Sequence, residues 1–122
     1  MANKTVLLVS HGSKATGFEE AMKKVAAALT ASGEYREVAC AYLEVNSPSI
    51  PEGIESLVRG GATEIIVMPY FLLTGKHVIA DIPGIIRKAK AEFKNVDIKL
   101  APYLGFDEKI VAVVQKRISE AS

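Results

Sequence analysis

Four short apolar runs alternate along this chain with four stretches of helical period, and that alternation leaves few folds open. The runs are "TVLLVS" (Thr5 to Ser10), "VACAYL" (Val38 to Leu43), "EIIVMPY" (Glu64 to Tyr70) and "VDIKLAP" (Val96 to Pro102). The first and third are continuously apolar, as a strand covered on both faces is. The fourth alternates, with Val96, Ile98 and Leu100 on one side and Asp97 and Lys99 on the other. That pattern predicts an edge strand.

Between the runs the apolar period becomes helical. Phe18, Met22, Val25 and Leu29 form one stripe, and Ile50, Ile54, Leu57 and Val58 a second. Ile82, Ile86, Ala89 and Phe93 form a third, and Ile110, Val113, Val114 and Ile118 a fourth. Gly33 and the pair Gly60-Gly61 stand where helices should stop. Asp81 is placed to cap the third helix, with Pro83 in its first turn, and Asp107 to cap the fourth. The order β-α-β-α-β-α-β-α implies a parallel sheet with helices on both faces and right-handed crossovers. The expected fold is α/β: a flavodoxin-like half-fold whose four strands run in the order 2-1-3-4. At 122 residues the whole chain, 1–122, reads as one domain.

In such a sheet, ligands bind outside the carboxyl ends of the strands. His11 follows the first run, Glu44 the second and His77 the third, at equal intervals of 33 residues. These are both histidines of the chain, with a carboxylate between them in sequence. Two imidazoles and a carboxylate suit a divalent transition metal, and they suit proton transfer near neutral pH. The bland alternative is three turn residues, and it weakens because both histidines fall at one edge. Gly12 lets the backbone turn past His11, and a helix following it would offer free N–H groups to an anion. Lys14 and Lys76 flank the histidines and are placed to meet acidic groups. "HGSK" is not a phosphate loop, since it lacks the first glycine of GxxxxGK[ST].

Composition narrows the partners. Fifteen Lys and Arg against 14 Asp and Glu give a net charge of +1, so bulk charge draws the chain to neither nucleic acid nor membrane. Cys40 is the single cysteine and lies in an apolar run, which predicts an inert, buried thiol. "MANKTVLLVS" is too short an apolar run for a signal peptide, and no run approaches the ~18 apolar residues of a membrane span. A soluble cytoplasmic protein is expected.

"HGS" after the first run, "YLEVNSPSI" after the second and "PYFLLTGKHVIADIP" after the third are similar to the class II chelatases. The chain most resembles the short, single-domain sirohydrochlorin cobaltochelatases of the CbiX type, and "LGFDEKIVAVVQKR" looks like that family's last segment. The resemblance implies a chelatase half-fold and ATP-independent insertion of Co²⁺ into sirohydrochlorin, in the anaerobic route to cobalamin. Related members insert nickel or iron, so Ni²⁺ and Fe²⁺ are the alternative substrate metals. It also implies His11 and His77 as metal ligands and Glu44 as the acidic catalytic residue. Gly12, Ser13, Lys14, Phe71, Leu72, Gly75 and Lys76 then become the expected substrate contacts, and no tightly bound cofactor is expected. The family often carries Arg after "HGS", where this chain has Lys14, and Lys does not make the bidentate carboxylate contact of Arg.

A tetrapyrrole is wide beside the edge of four strands, which predicts a homodimer with the macrocycle between two copies. Tyr70 to Leu73 would then continue the core below and line the flat ring above. Two other classes compete. One is a non-catalytic Co²⁺ or Ni²⁺ carrier using the same histidines. The other is a histidine phosphatase, which ranks low because Ser10 stands where that motif needs Arg.

Overall fold

A computed structural model describes residues 3–73 and 75–122, and among these the side chains of residues 76–79 lie outside the description. The elements run β1 (Lys4–Ser10), α1 (Phe18–Ala31), β2 (Glu37–Tyr42), α2 (Ile50–Arg59), β3 (Glu64–Pro69), α3 (Lys76–Glu92), β4 (Asp97–Leu100) and α4 (Glu108–Glu120). The strands form one parallel sheet in the order β2-β1-β3-β4. Both architecture and strand order are as the alternation predicts.

Strand parity sorts the side chains into two layers. Leu7, Val9, Ala41, Ile65, Val67 and Ile98 point to one face, where they meet Ile50, Ile54 and Leu57 of α2 and Ile82 and Ile86 of α3. This is the main core. The opposite face carries Leu8 and Tyr42 under Met22 and Phe18 of α1, with the Phe18 and Tyr42 rings 5.9 Å apart. Each fully buried Leu, Ile or Val contributes about 1.5–3 kcal/mol, so the main core dominates the energetics. Cys40 is half-buried on the α1 side. Burial pushes its thiol up, outweighing the opposing effect of Lys23, although the residue is less buried than the apolar run predicted.

The expected helix ends at Gly33 and Gly60-Gly61 hold: α1 stops at Ala31 and α2 at Arg59. Asp107 caps α4 by accepting from Lys109 N at 2.8 Å. Asp81 does not cap α3. That helix begins five residues earlier, after Gly75, and runs through Asp81 and Pro83. A proline inside a helix removes one backbone hydrogen bond, and a helix of 17 residues outlasts that loss. On edge strand β4, Lys99 bridges Glu64 at 3.3 Å and Asp97 at 3.4 Å. Charge on the sheet's open edge discourages further strand pairing. The fourth stripe is a different case. Val113, Val114 and Ile118 are at least half exposed, and α4 buries no residue. No helix among the described residues is long and apolar enough to cross a membrane.

Candidate active site

The site grows from the carboxyl end of β1, the strand flanked by β2 and β3. The β1–β2 ladder continues past the strands: Leu43 N donates to Ser10 O and Glu44 N to His11 O, each at 3.0 Å. Two parallel chains held in that register set His11 and Glu44 side by side. The His11 Nε2 lies 3.2 Å from Glu44 Oε1, and both side chains are more than half exposed. An exposed pair of this kind adds little to stability. It leaves an imidazole and a carboxylate facing outward, within reach of a large ligand.

The two loops carrying this pair are locked together. Gly12 has φ +106°, and a Cβ there would fall 1.9 Å from the Glu44 carbonyl oxygen. Only glycine permits that approach. Ser13 N donates to Asn46 Oδ1 at 2.7 Å, and Asn46 N donates to Glu44 O at 2.8 Å. The second bond closes a three-residue turn on Val45, whose φ is +72°. A β-branched residue with positive φ in such a turn is strained. The "HGS" loop holds the strained turn in place, and the turn aims Glu44. Asn46 is therefore a residue that ties the two loops of the candidate site together and that the sequence reading missed. The signal was available, since an Asn two positions past the carboxylate in "EVNSPS" is a residue type that ties loops together through its side chain.

One expectation is corrected here. No helix begins at Gly12 to bind an anion. The chain stays irregular until α1 starts at Phe18, because Ser13 N is already engaged by Asn46. The first turn of α1 also carries Glu19 and Glu20, which oppose an anion. The helix whose N-terminus meets this sheet edge without such opposition is α3. Its N-cap Gly75 is extended and makes no side-chain cap, and its first turn holds no acid.

The third strand supplies the other wall. Tyr70 N donates to Val9 O at 2.6 Å, and Leu104 N to Phe71 O at 3.0 Å. These bonds carry the segment after β3 along the same edge. Phe71 turns inward and packs on the main core, whereas Leu72 and Leu73 are 58% and 82% exposed. Phe71, expected as a substrate contact, is therefore taken up by the core, and Leu72 and Leu73 are the apolar side chains left facing solvent. Gly75 has open space around it, so its place rests on backbone geometry and not on crowding. Lys14 is exposed beside the site. His77 is the second residue of α3 and Lys76 the first, so both belong to a helix and not to a loop. Their side chains lie outside the described residues. Among the described residues no three His, Cys, Asp or Glu side chains cluster as a metal site, so His11 and Glu44 form a two-group set at this edge.

Residues 5–121 match the CbiX family model. The chain belongs to the CbiX family. A sirohydrochlorin cobaltochelatase from Saccharolobus islandicus (strain L.S.2.15 / Lassen #1) is 37% identical over 94% of this chain and 93% of its own length. A sirohydrochlorin cobaltochelatase from Priestia megaterium is 28% identical over 94% of this chain but only 37% of its own. Among solved structures, a CbiX protein from Marinobacter aquaeolei VT8 superposes with a TM-score of 0.81 at 27% identity, covering 97% of this chain and 96% of that one. The sirohydrochlorin chelatase SirB from Bacillus subtilis subspecies spizizenii, in complex with cobalt, gives a TM-score of 0.87 at 30% identity, covering 98% of this chain and 51% of that one. The CbiX fold therefore occurs both at this length and inside chains about twice as long.

Proposed function

We propose that this CbiX chain inserts Co²⁺ into sirohydrochlorin without ATP, with residues 1–122 acting as one chelatase domain. The observation that carries this reading is the His11–Glu44 pair, 3.2 Å apart and open to solvent at the carboxyl edge of the sheet. In this reading His11 and His77 hold the metal, which is a substrate, and no tightly bound cofactor takes part.

The reaction exchanges two pyrrole N–H bonds for bonds to the metal, and it releases two protons. The His11 imidazole holds M²⁺ near the ring and accepts a pyrrole proton as the metal leaves it for the ring. Glu44 accepts a proton in turn or orients the His11 ring, as a carboxylate beside a metal-binding histidine does. Desolvation falls to Leu72 and Leu73, which lie against one face of the macrocycle. Lys14, Lys76 and the N-terminus of α3 meet its carboxylates, with Gly12 and Ser13 shaping the loop beneath. Affinity does not select cobalt, because nickel and copper bind such ligands more tightly. Supply and ring geometry decide, and Ni²⁺ or Fe²⁺ insertion is the nearest alternative. One copy covers one face of the ring, so the working form is a homodimer.

The test is anaerobic mixing of protein and sirohydrochlorin with Co²⁺, Ni²⁺ or Fe²⁺, followed by visible absorption. Catalysed insertion of Co²⁺ well above the protein-free rate is expected. Tight Co²⁺ binding with no acceleration would leave a metal carrier instead.

A further inference from the structure

A groove of about 510 Å³ runs between α3 and the chain just past β2. Leu43 forms one wall of it. The same residue belongs to the ladder that sets His11 beside Glu44, since its N–H donates to Ser10 O at 3.0 Å. Ala80 and Ile85 of α3 add apolar surface, and Asp81, Arg87 and Lys88 bring charge. Two cations against one acid leave one net positive charge.

Arg87 sets this groove apart. The chain has four arginines. Arg36 donates to Gly60 O at 2.8 Å, Arg59 pairs with Glu55 at 2.7 Å and Arg117 with Glu120 at 3.0 Å. Arg87 is exposed and has no ion pair or hydrogen bond among the described residues. Its neighbours three and four positions away on the helix are Pro83, Gly84, Lys90 and Ala91, so no acid lies within helical reach. The side chain leans toward the helix N-terminus, as long helical side chains do. Its Nη2 comes to lie over Gly84, where an added Cβ would meet it at 3.7 Å. Glycine is unfavourable inside a helix, and here it leaves the surface beneath the guanidinium bare. A planar fork of donors thus stands unpaired, one turn nearer the carboxyl edge of the sheet than its own backbone.

We infer that this groove takes one carboxylate arm of the tetrapyrrole: Arg87 grips the carboxylate in a bidentate way, and Leu43, Ala80 and Ile85 cover the methylenes of the arm. The inference rests on the proposed function for its ligand, the ring. Both halves of the groove select that ligand. An inorganic anion would match the charge and leave the apolar wall without a partner, and an apolar molecule would leave the guanidinium unpaired. Asp81 repels a second carboxylate, so the groove holds one arm. Arg87 also supplies the bidentate contact that Lys14 does not make.

Fluorescence titration of metal-free sirohydrochlorin onto the full-length protein tests this, with steady-state Co²⁺ insertion measured alongside. Arg87→Ala is expected to weaken ring binding and raise KM roughly 10-fold, with kcat nearly intact. Arg87→Lys should restore only part of the loss, and full rescue would overturn the bidentate contact. Lys90→Ala removes an exposed charge of the same helix outside the groove and should change neither quantity. An equal loss there would mean diffuse attraction and overturn the groove. The fully methyl-esterified ring should bind wild type and Arg87→Ala alike, and a persistent difference would also overturn it. Urea unfolding of Arg87→Ala should match wild type, and a lowered midpoint would assign Arg87 to structure instead. Unchanged ring binding in Arg87→Ala refutes the groove and leaves the chelatase reading standing. Ring binding that depends on Arg87 without accelerated insertion does the reverse.

Discussion

Gly12→Ala places a methyl group against a backbone oxygen. The new Cβ would lie 1.9 Å from Glu44 O, 3.0 Å from Glu44 C and 3.2 Å from Asn46 Oδ1. Ordinary contact begins near 3.4 Å, so the two loops must part by about 1.5 Å, since backbone atoms yield little in a close-packed region. That movement stretches Ser13 N to Asn46 Oδ1 and Glu44 N to His11 O, now 2.7 and 3.0 Å. Each such bond contributes about 0.5–1.5 kcal/mol. The φ of +106° costs alanine roughly 1–3 kcal/mol more. The expected loss is about 4 kcal/mol, a large share of the ~5–15 kcal/mol that holds a domain together, and a fall in Tm on the order of 10 °C. Gly17→Ala is the control. It has φ +85° but nothing within 4 Å of the new Cβ, so it costs only about 1–2 kcal/mol. Thermal and urea unfolding of both variants, with metal insertion measured on the folded fraction, separates crowding from dihedral cost. Equal losses at Gly12 and Gly17 would refute the claim that crowding against Glu44 sets the site, and so would full insertion activity in Gly12→Ala.

Asn46→Ala should cost about 1 kcal/mol of stability and lower kcat more than it changes KM, because Glu44 loses its aim; unchanged kcat would count against the locked-loop account. Lys14→Ala should raise KM for the ring several-fold with kcat nearly intact, the pattern of lost uniform binding, and a fall in kcat alone would contradict it. Ser49→Ala removes a capping box in which Ser49 Oγ accepts from Glu52 N and Glu52 Oε1 accepts from Ser49 N, and it should cost about 1 kcal/mol. The Ser49 backbone N–H, then its hydroxyl, holds the Glu52 carboxyl below its usual value. That stabilisation is therefore present above the ordinary carboxylate range and is lost as pH falls through the lowered value. Urea unfolding of wild type and Ser49→Ala should show a gap at pH 7 that narrows toward pH 3, and a gap that widens would reverse the sign.

Strand order was readable because "TVLLVS" and "EIIVMP" are apolar on both sides, and only interior strands are covered that way. The pairing of His11 with Glu44 was readable for a related reason: parallel strands end at one edge, so residues one β-α unit apart meet there. The start of α3 was hidden by Asp81 and Pro83, which read as a cap and a first turn, whereas Gly75 six residues earlier releases the chain into the helix. Asn46 was missed because its residue type hints at a loop tie but its partner, Ser13 N, lies 33 residues away and outside any local pattern. Sequence spacing finds the apolar stripe of α4 but does not say what covers it. Periodicity reports which side of a helix is apolar, and the cover is a matter of tertiary or quaternary contact.

The central claim is that His11 and His77 together hold and deprotonate at this edge, and single-site insertion kinetics test it most directly. Co²⁺ insertion into sirohydrochlorin is followed anaerobically at pH 8, and ring binding is measured separately by fluorescence. The expected result for His11→Ala and for His77→Ala is a loss of about two to four orders of magnitude in turnover, with ring affinity kept by Leu72, Leu73 and Lys14. Glu44→Gln should fall between these variants and wild type. Wild-type turnover in His77→Ala would contradict the account.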